Sequence, residues 1–143
     1  MTTLSSIQFA MKIRYNLIES EAPKISAGFP SPALDYEKSR IDLNDIIIKN
    51  PEATYYAKVD GDSMKDAGIA DGDILVVDKS IEAQNGHVAV CFLNGEFTLK
   101  RLKITHDEVW LMPENNLYKP IKVEEESDFR IWGVVTYVIK KTL

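Results

Sequence analysis

The sequence predicts a mainly β protein with one or two short helices, preceded by an extended N-terminal arm. Three observations lead there. Residues 7–17 alternate apolar and polar with a period of two. Apolar stretches of strand length, punctuated by Asp-Gly and Asn-Gly pairs, fill most of residues 54–140. Helix signals are concentrated in the short stretch "RIDLNDIIIKNPEA".

In the arm, Ile7, Phe9, Met11, Ile13, Tyr15 and Leu17 alternate with Gln8, Ala10, Lys12, Arg14 and Asn16. A helix would scatter these apolar residues around its surface, whereas a strand puts them on one face. Such a strand must pair with its own body or with a second copy of the chain. Next, "EAPKISAGFPSPALDYEKS" carries Pro23, Pro30 and Pro32 around Gly28 and small residues, a composition that reads as a surface linker. Asp42 is placed to cap a short helix with Leu43, Ile46 and Ile47 on one face, ended by Asn50-Pro51. Strands are then expected at 54–59, 73–79, 87–93, 96–102, 108–112 and 129–140. Asn94-Gly95 joins the third and fourth of these, because a two-residue type I′ turn needs positive φ at both central positions. The Glu124-Glu125-Glu126 run reads as a solvated loop.

With 143 residues, 45% of them apolar and 27% charged, the chain has the size and mix of one globular domain. A net charge of −5 argues against a protein whose main task is gripping phosphate backbones. The single cysteine, Cys91, cannot form an internal disulfide. No apolar run approaches membrane-helix length, and Lys12 and Arg14 interrupt the N-terminal apolar part, so neither a membrane span nor a signal peptide is expected. The expected location is cytoplasmic.

The chemistry turns on Ser63, in "GDSMKDAG", and on whether the chain supplies a base for it. His87 opens an expected strand and His106 lies in a Thr-His-Asp turn, neither within a motif. The G-x-S-x-G elbow fails because Lys65 stands at the second glycine's position. His87 and Cys91 would share a strand face but lie about 13 Å apart, too far to bond. One Cys and two scattered His give no metal-ligand spacing, and no glycine-rich phosphate loop is present, so no cofactor or metal is expected. Lysine remains. Lys100, in "GEFTLKRL", reads on composition alone as a solvated strand charge, but burial can strip a lysine of its proton and make it a base. A hydroxyl beside such an amine is an activated nucleophile.

"GDSMKDAGIADGDILVVD", "GEFTLKRL", "LMPENNLYKPI" and "WGVVTYVIKK", in that order, resemble the UmuD branch of the LexA/UmuD family of self-cleaving serine peptidases. The resemblance runs from about residue 27 to the C-terminus. It implies the LexA/UmuD peptidase-like β fold over 39–143 and an arm, 1–38, that carries the cleavage site. It implies Ser63 as nucleophile, Lys100 as general base, and self-cleavage at Ala27-Gly28 within "ISAGFPSPA". It also implies an oxyanion hole from the backbone N–H groups of Asp62 and Ser63. Flanking prolines are expected to hold the bond extended, and Gly28 to permit a bend where a Cβ would clash. The partners implied are a second copy in a homodimer, a RecA nucleoprotein filament as trigger, and a UmuC-type catalytic subunit of a translesion DNA polymerase. Sequence-specific DNA binding is not expected, because the arm is too short and too strand-like for a helix-turn-helix domain. Two other readings stay open: a catalytically silent binding module of the same fold, and a signal-peptidase-like enzyme acting on other proteins.

Overall fold

A computed structural model describes residues 3–9, 27–28 and 42–143, with the backbone alone for 3–9. The expected boundary between residues 38 and 39 lies outside the described residues.

Among the described residues, eight strands form one antiparallel sheet: β1 (Thr3–Phe9), β2 (Thr54–Asp60), β3 (Ile74–Asp78), β4 (Val88–Leu93), β5 (Glu96–Ile104), β6 (Val109–Met112), β7 (Ile121–Lys122) and β8 (Phe129–Ile139). Their order is β1-β2-β3-β8-β4-β5-β6-β7. In a flat sheet β1 and β5, five positions apart, would lie roughly 24 Å from each other. Instead they approach to within 8 Å between Cα atoms, so the sheet curls back on itself. Bulges at Val76/Val77 and Val90/Cys91, where β8 meets β3 and β4, add bend and twist there.

The curl creates two apolar clusters. Ala57, Val59, Met64, Ile69, Leu75, Val77, Val90 and Leu99 fill one. Ala89, Cys91, Leu102 and Leu111 fill the other. Because side chains alternate along a strand, β5 gives Leu99 to the first and turns Thr98, Lys100 and Leu102 to the opposite face. Coverage on both faces buries three consecutive residues, Thr98, Leu99 and Lys100.

The expected helix is α1 (Leu43–Ile47), with the Asp42 carboxylate accepting from the Asn44 N–H at 3.0 Å. Among the described residues, the other helical segments are single 3-10 turns, at Pro51–Ala53 and Lys65–Ala67. The strand expected at 7–17 overlaps β1 only at 7–9. β1 begins at Thr3 and ladders antiparallel onto β2, and residues 10–17 lie outside the described set. The Asn94-Gly95 turn has φ of 49° and 89°, as a type I′ hairpin requires, and closes β4 onto β5 with Leu93 opposite Glu96. β7 escaped the sequence reading because two residues carry no detectable period. Among the described residues, no helix is long and apolar enough to cross a membrane.

Candidate active site

Ser63 sits just past the end of β2. Gly61, at φ 102°, turns the chain there, a backbone state that glycine enters at little cost. Met64, fully buried, plugs the first apolar cluster and draws its neighbour inward. The chain then closes a 3-10 turn and leaves through Gly68 at φ 75°. Ser63 is thereby completely buried, although Asp62 and Lys65 on either side are exposed.

Lys100 reaches the same spot from the middle of β5. Its partner across the ladder is Ala89, small enough to leave room for the lysine stem. Lys100 is 1% exposed, so the expectation of a solvated strand lysine fails and that of a buried one holds. Its Nζ lies 3.5 Å from Ser63 Oγ, 2.9 Å from Thr98 Oγ1 and 3.0 Å from the Leu99 carbonyl oxygen. None of these three partners is a carboxylate. Burial lowers the lysine pKa from an ordinary 10.5 to about 8, opposed only weakly by the neighbouring Cys91. The same burial pushes the Cys91 thiol up from 9.0 to about 12, so this pair is neutral between those limits.

The three partners can satisfy the three donors of an ammonium, and they can also serve the neutral amine. An –NH2 group has two N–H donors and one lone pair. The Leu99 carbonyl can only accept and takes one N–H, and Thr98 Oγ1 can take the other. The lone pair is then left to face the Ser63 hydroxyl. At 3.5 Å this last contact is looser than the 2.6–3.2 Å of working proton transfer, so the pair must tighten to react.

A strap at 113–118, from "MPENNLY", holds the serine loop from outside. The Glu114 N–H donates to the Ser63 carbonyl at 2.8 Å, and the Glu114 carbonyl accepts from the Asp66 N–H at 2.8 Å. Asn115 Nδ2 donates to the Asp62 carbonyl at 2.9 Å, and Tyr118 Oη donates to Asp62 Oδ1 at 2.7 Å. The Glu114 carboxylate pairs with Arg101, the residue after Lys100, whose Nη1 also donates to the Gly86 carbonyl at 2.7 Å. One strap therefore ties the loop bearing Ser63 to the strand bearing Lys100. Sequence reasoning met this strap only as a stretch of family resemblance, with no role attached, and did not single out Thr98. The i, i+2 spacing of Thr98 and Lys100 on a strand was the available signal for the latter.

The other sequence candidates separate from the site. His106 is exposed in its turn, and His87 Nδ1 accepts from the Gln84 N–H at 3.1 Å. Ala27 and Gly28 are exposed, and the backbone bends at both. A Cβ placed on Gly28 would meet nothing within 4 Å. The expectations of an extended bond and of a clash at Gly28 are thus both corrected for this conformation. Pro30 directly constrains only the residue before it, Phe29, and leaves Ala27 and Gly28 free of that restriction.

A curled antiparallel sheet that buries a serine hydroxyl beside a lysine amine is a peptidase-like architecture. The chain belongs to the Peptidase S24-like family, whose family model matches residues 16–136. It is 44% identical over 115 residues to Protein MucA of Salmonella typhimurium, covering 80% of this chain and 78% of that one. It is 41% identical over 129 residues to Protein SamA of Salmonella typhimurium strain LT2, covering 87% and 89%. The LexA repressor of Xylella fastidiosa is 38% identical over 111 residues, which is 78% of this chain and 52% of the repressor.

Proposed function

We propose that the chain is a self-cleaving serine peptidase of the DNA-damage response. The observation that carries this reading is the buried Lys100 amine beside Ser63, whose pKa desolvation lowers to about 8. At a pKa of about 8, about one molecule in eleven has a neutral Lys100 at pH 7, against about one in 3,000 for an ordinary lysine at 10.5. In the proposed reaction Lys100 Nζ takes the Ser63 Oγ proton, and Oγ attacks the Ala27 carbonyl carbon. The carbonyl π pair moves onto oxygen, where the Asp62 and Ser63 N–H groups would stabilise it. Collapse breaks the Ala27–Gly28 C–N bond, and the charged lysine gives its proton to the departing Gly28 nitrogen. Water then hydrolyses the Ser63 ester, leaving residues 1–27 and 28–143.

Ala27 and Gly28 must first leave their exposed bend and enter the site, and this movement suits a protein that stays intact until triggered. The trigger read from the family resemblance is a RecA filament on single-stranded DNA. The trimmed product is read as a homodimer that joins a UmuC-type translesion polymerase subunit in the cytoplasm. Support for self-association is a half-open hollow of about 460 Å³ lined by Leu43, Ile47, Tyr56, Ile74 and Ile139. Of these, Leu43, Ile74 and Ile139 are apolar yet exposed.

The test is intact mass after long incubation at pH 7 and at about pH 10, beside Ser63→Ala and Lys100→Ala, because an unassisted lysine base is then largely neutral. Wild type alone should yield fragments 1–27 and 28–143, faster at the higher pH, with a midpoint near 8. A chain that stays whole at both values, with an activated RecA filament added, is a silent binding module instead.

A further inference from the structure

Asn115 is 4% exposed, and both ends of its side-chain amide are committed to backbone groups. Oδ1 accepts from the Leu117 N–H at 3.0 Å, and Nδ2 donates to the Asp62 carbonyl at 2.9 Å. The Leu117 N–H can only donate and the Asp62 carbonyl can only accept, so the amide has one orientation that satisfies both. A short local turn within the strap thus presents a rigid donor to one particular peptide group.

That group is the Asp62–Ser63 peptide. No peptide bond among the described residues is cis. In a planar trans unit the carbonyl of one residue and the N–H of the next point in opposite directions. Pinning the Asp62 oxygen toward Asn115 therefore sets the direction of the Ser63 N–H. The Lys65 N–H, at 3.2 Å, holds the same oxygen more loosely. Tyr118 also grips Asp62, but at its carboxylate, beyond freely rotating side-chain bonds that pass no orientation to the peptide plane.

We propose that Asn115 is a positioning residue that fixes the Asp62–Ser63 peptide plane and so aims the Ser63 N–H at the carbonyl oxygen of the bond under attack. This rests on the peptidase reading above. Preorganised donors matter most where charge develops, and removing one outright costs about 10²–10³ in rate. Loss of Asn115 misaims a donor without deleting it, and Lys65 still holds the carbonyl. The expected loss is therefore about tenfold to a hundredfold.

The experiment compares self-cleavage of the full chain across pH 7 to 10 in wild type, Asn115→Ala and Tyr118→Phe, with amide NMR of Ser63 in each. Asn115→Ala should cut about tenfold to a hundredfold more slowly with its pH midpoint unmoved, since Asn115 touches no atom bonded to the Lys100 amine. Its Ser63 amide resonance should move, while Tyr118→Phe stays within about twofold of wild type in rate. If Asn115→Ala does not fold, Asn115→Ser serves, its hydroxyl being too short to bridge both partners. Cleavage by the folded variant within about threefold of wild type overturns the proposal. So does a shifted midpoint, an unmoved Ser63 amide, or an equal loss in Tyr118→Phe. An inert wild type overturns the peptidase reading itself, and the aim of the N–H with it.

Discussion

Replacing Lys100 by Met in a Ser63→Ala background should make the fold more stable at neutral pH, by an amount that fades as the pH rises. The lysine pKa falls from 10.5 in an exposed chain to about 8 in the fold, chiefly because burial penalises the ammonium. A difference of that size corresponds to roughly 3 kcal/mol. Between pH 8 and 10.5 the unfolded chain binds more protons at this site than the native one, so native stability rises with pH through that window. Below pH 8 the penalty is fully present, and above 10.5 it is gone. Cys91 acts in the opposite sense. Its thiol, raised from 9.0 to about 12, gives stability that is complete below pH 9 and lost as pH climbs toward 12. Cys91 is present in both proteins, so its contribution cancels in their difference apart from its coupling to the Lys100 charge. The assay is urea unfolding of both variants at pH 7, 8, 9 and 10. The stability difference should shrink by about 1.4 kcal/mol per pH unit above 8. A difference that stays flat from pH 7 to 10 would refute the claim that desolvation, rather than its hydrogen-bond partners, governs this lysine.

Thr98→Val keeps the shape of the side chain but removes one acceptor from Nζ. The ammonium has three donors to place and the amine only two, so the loss falls harder on the charged form. The cleavage midpoint should move below about 8 while the plateau rate falls about tenfold, part of the ~10²–10⁴ that general-base catalysis supplies. A pH series of cleavage rates reads both. Gly133→Ala should destabilise the fold by about 1–3 kcal/mol in urea titrations, because the new Cβ would sit 2.6 Å from Cγ1 of the fully buried, stiff Val77.

Much of the sheet was legible because its strands are long and their turns chemically explicit. The ladder across Asn94-Gly95 and the strands 54–59, 73–79 and 129–140 follow from period and punctuation, each within a residue or so of its observed ends. Lys100 was not legible from local pattern. Its neighbours look like any half-exposed strand, and its burial arises only because the sheet curls to cover both faces of β5. The resemblance to a peptidase family pointed to the pair, while the 3.5 Å approach and the Thr98 contact to the amine emerge only in the folded chain. The strap at 113–118 was opaque for a different reason. Its bonds run to residues about fifty positions earlier in the chain and mostly to backbone atoms, which carry no sequence signature.

The tip of the β4–β5 hairpin is bolted to the start of β8 by a reciprocal pair. The Asn94 N–H donates to the Asp128 carbonyl at 2.9 Å, and the Asp128 N–H donates to Asn94 Oδ1 at 3.0 Å. With the tip immobile, which side of the sheet Lys100 occupies depends on whether the number of residues counted from the turn is odd or even. One residue inserted between Gly95 and Lys100 would send the amine through to the opposite face and bring Leu99 round in its place. Two inserted residues would restore the face but carry the amine about 7 Å along the strand, out of reach of Ser63. The address of this one nitrogen is therefore kept by a count, and the count starts at an asparagine that never touches it.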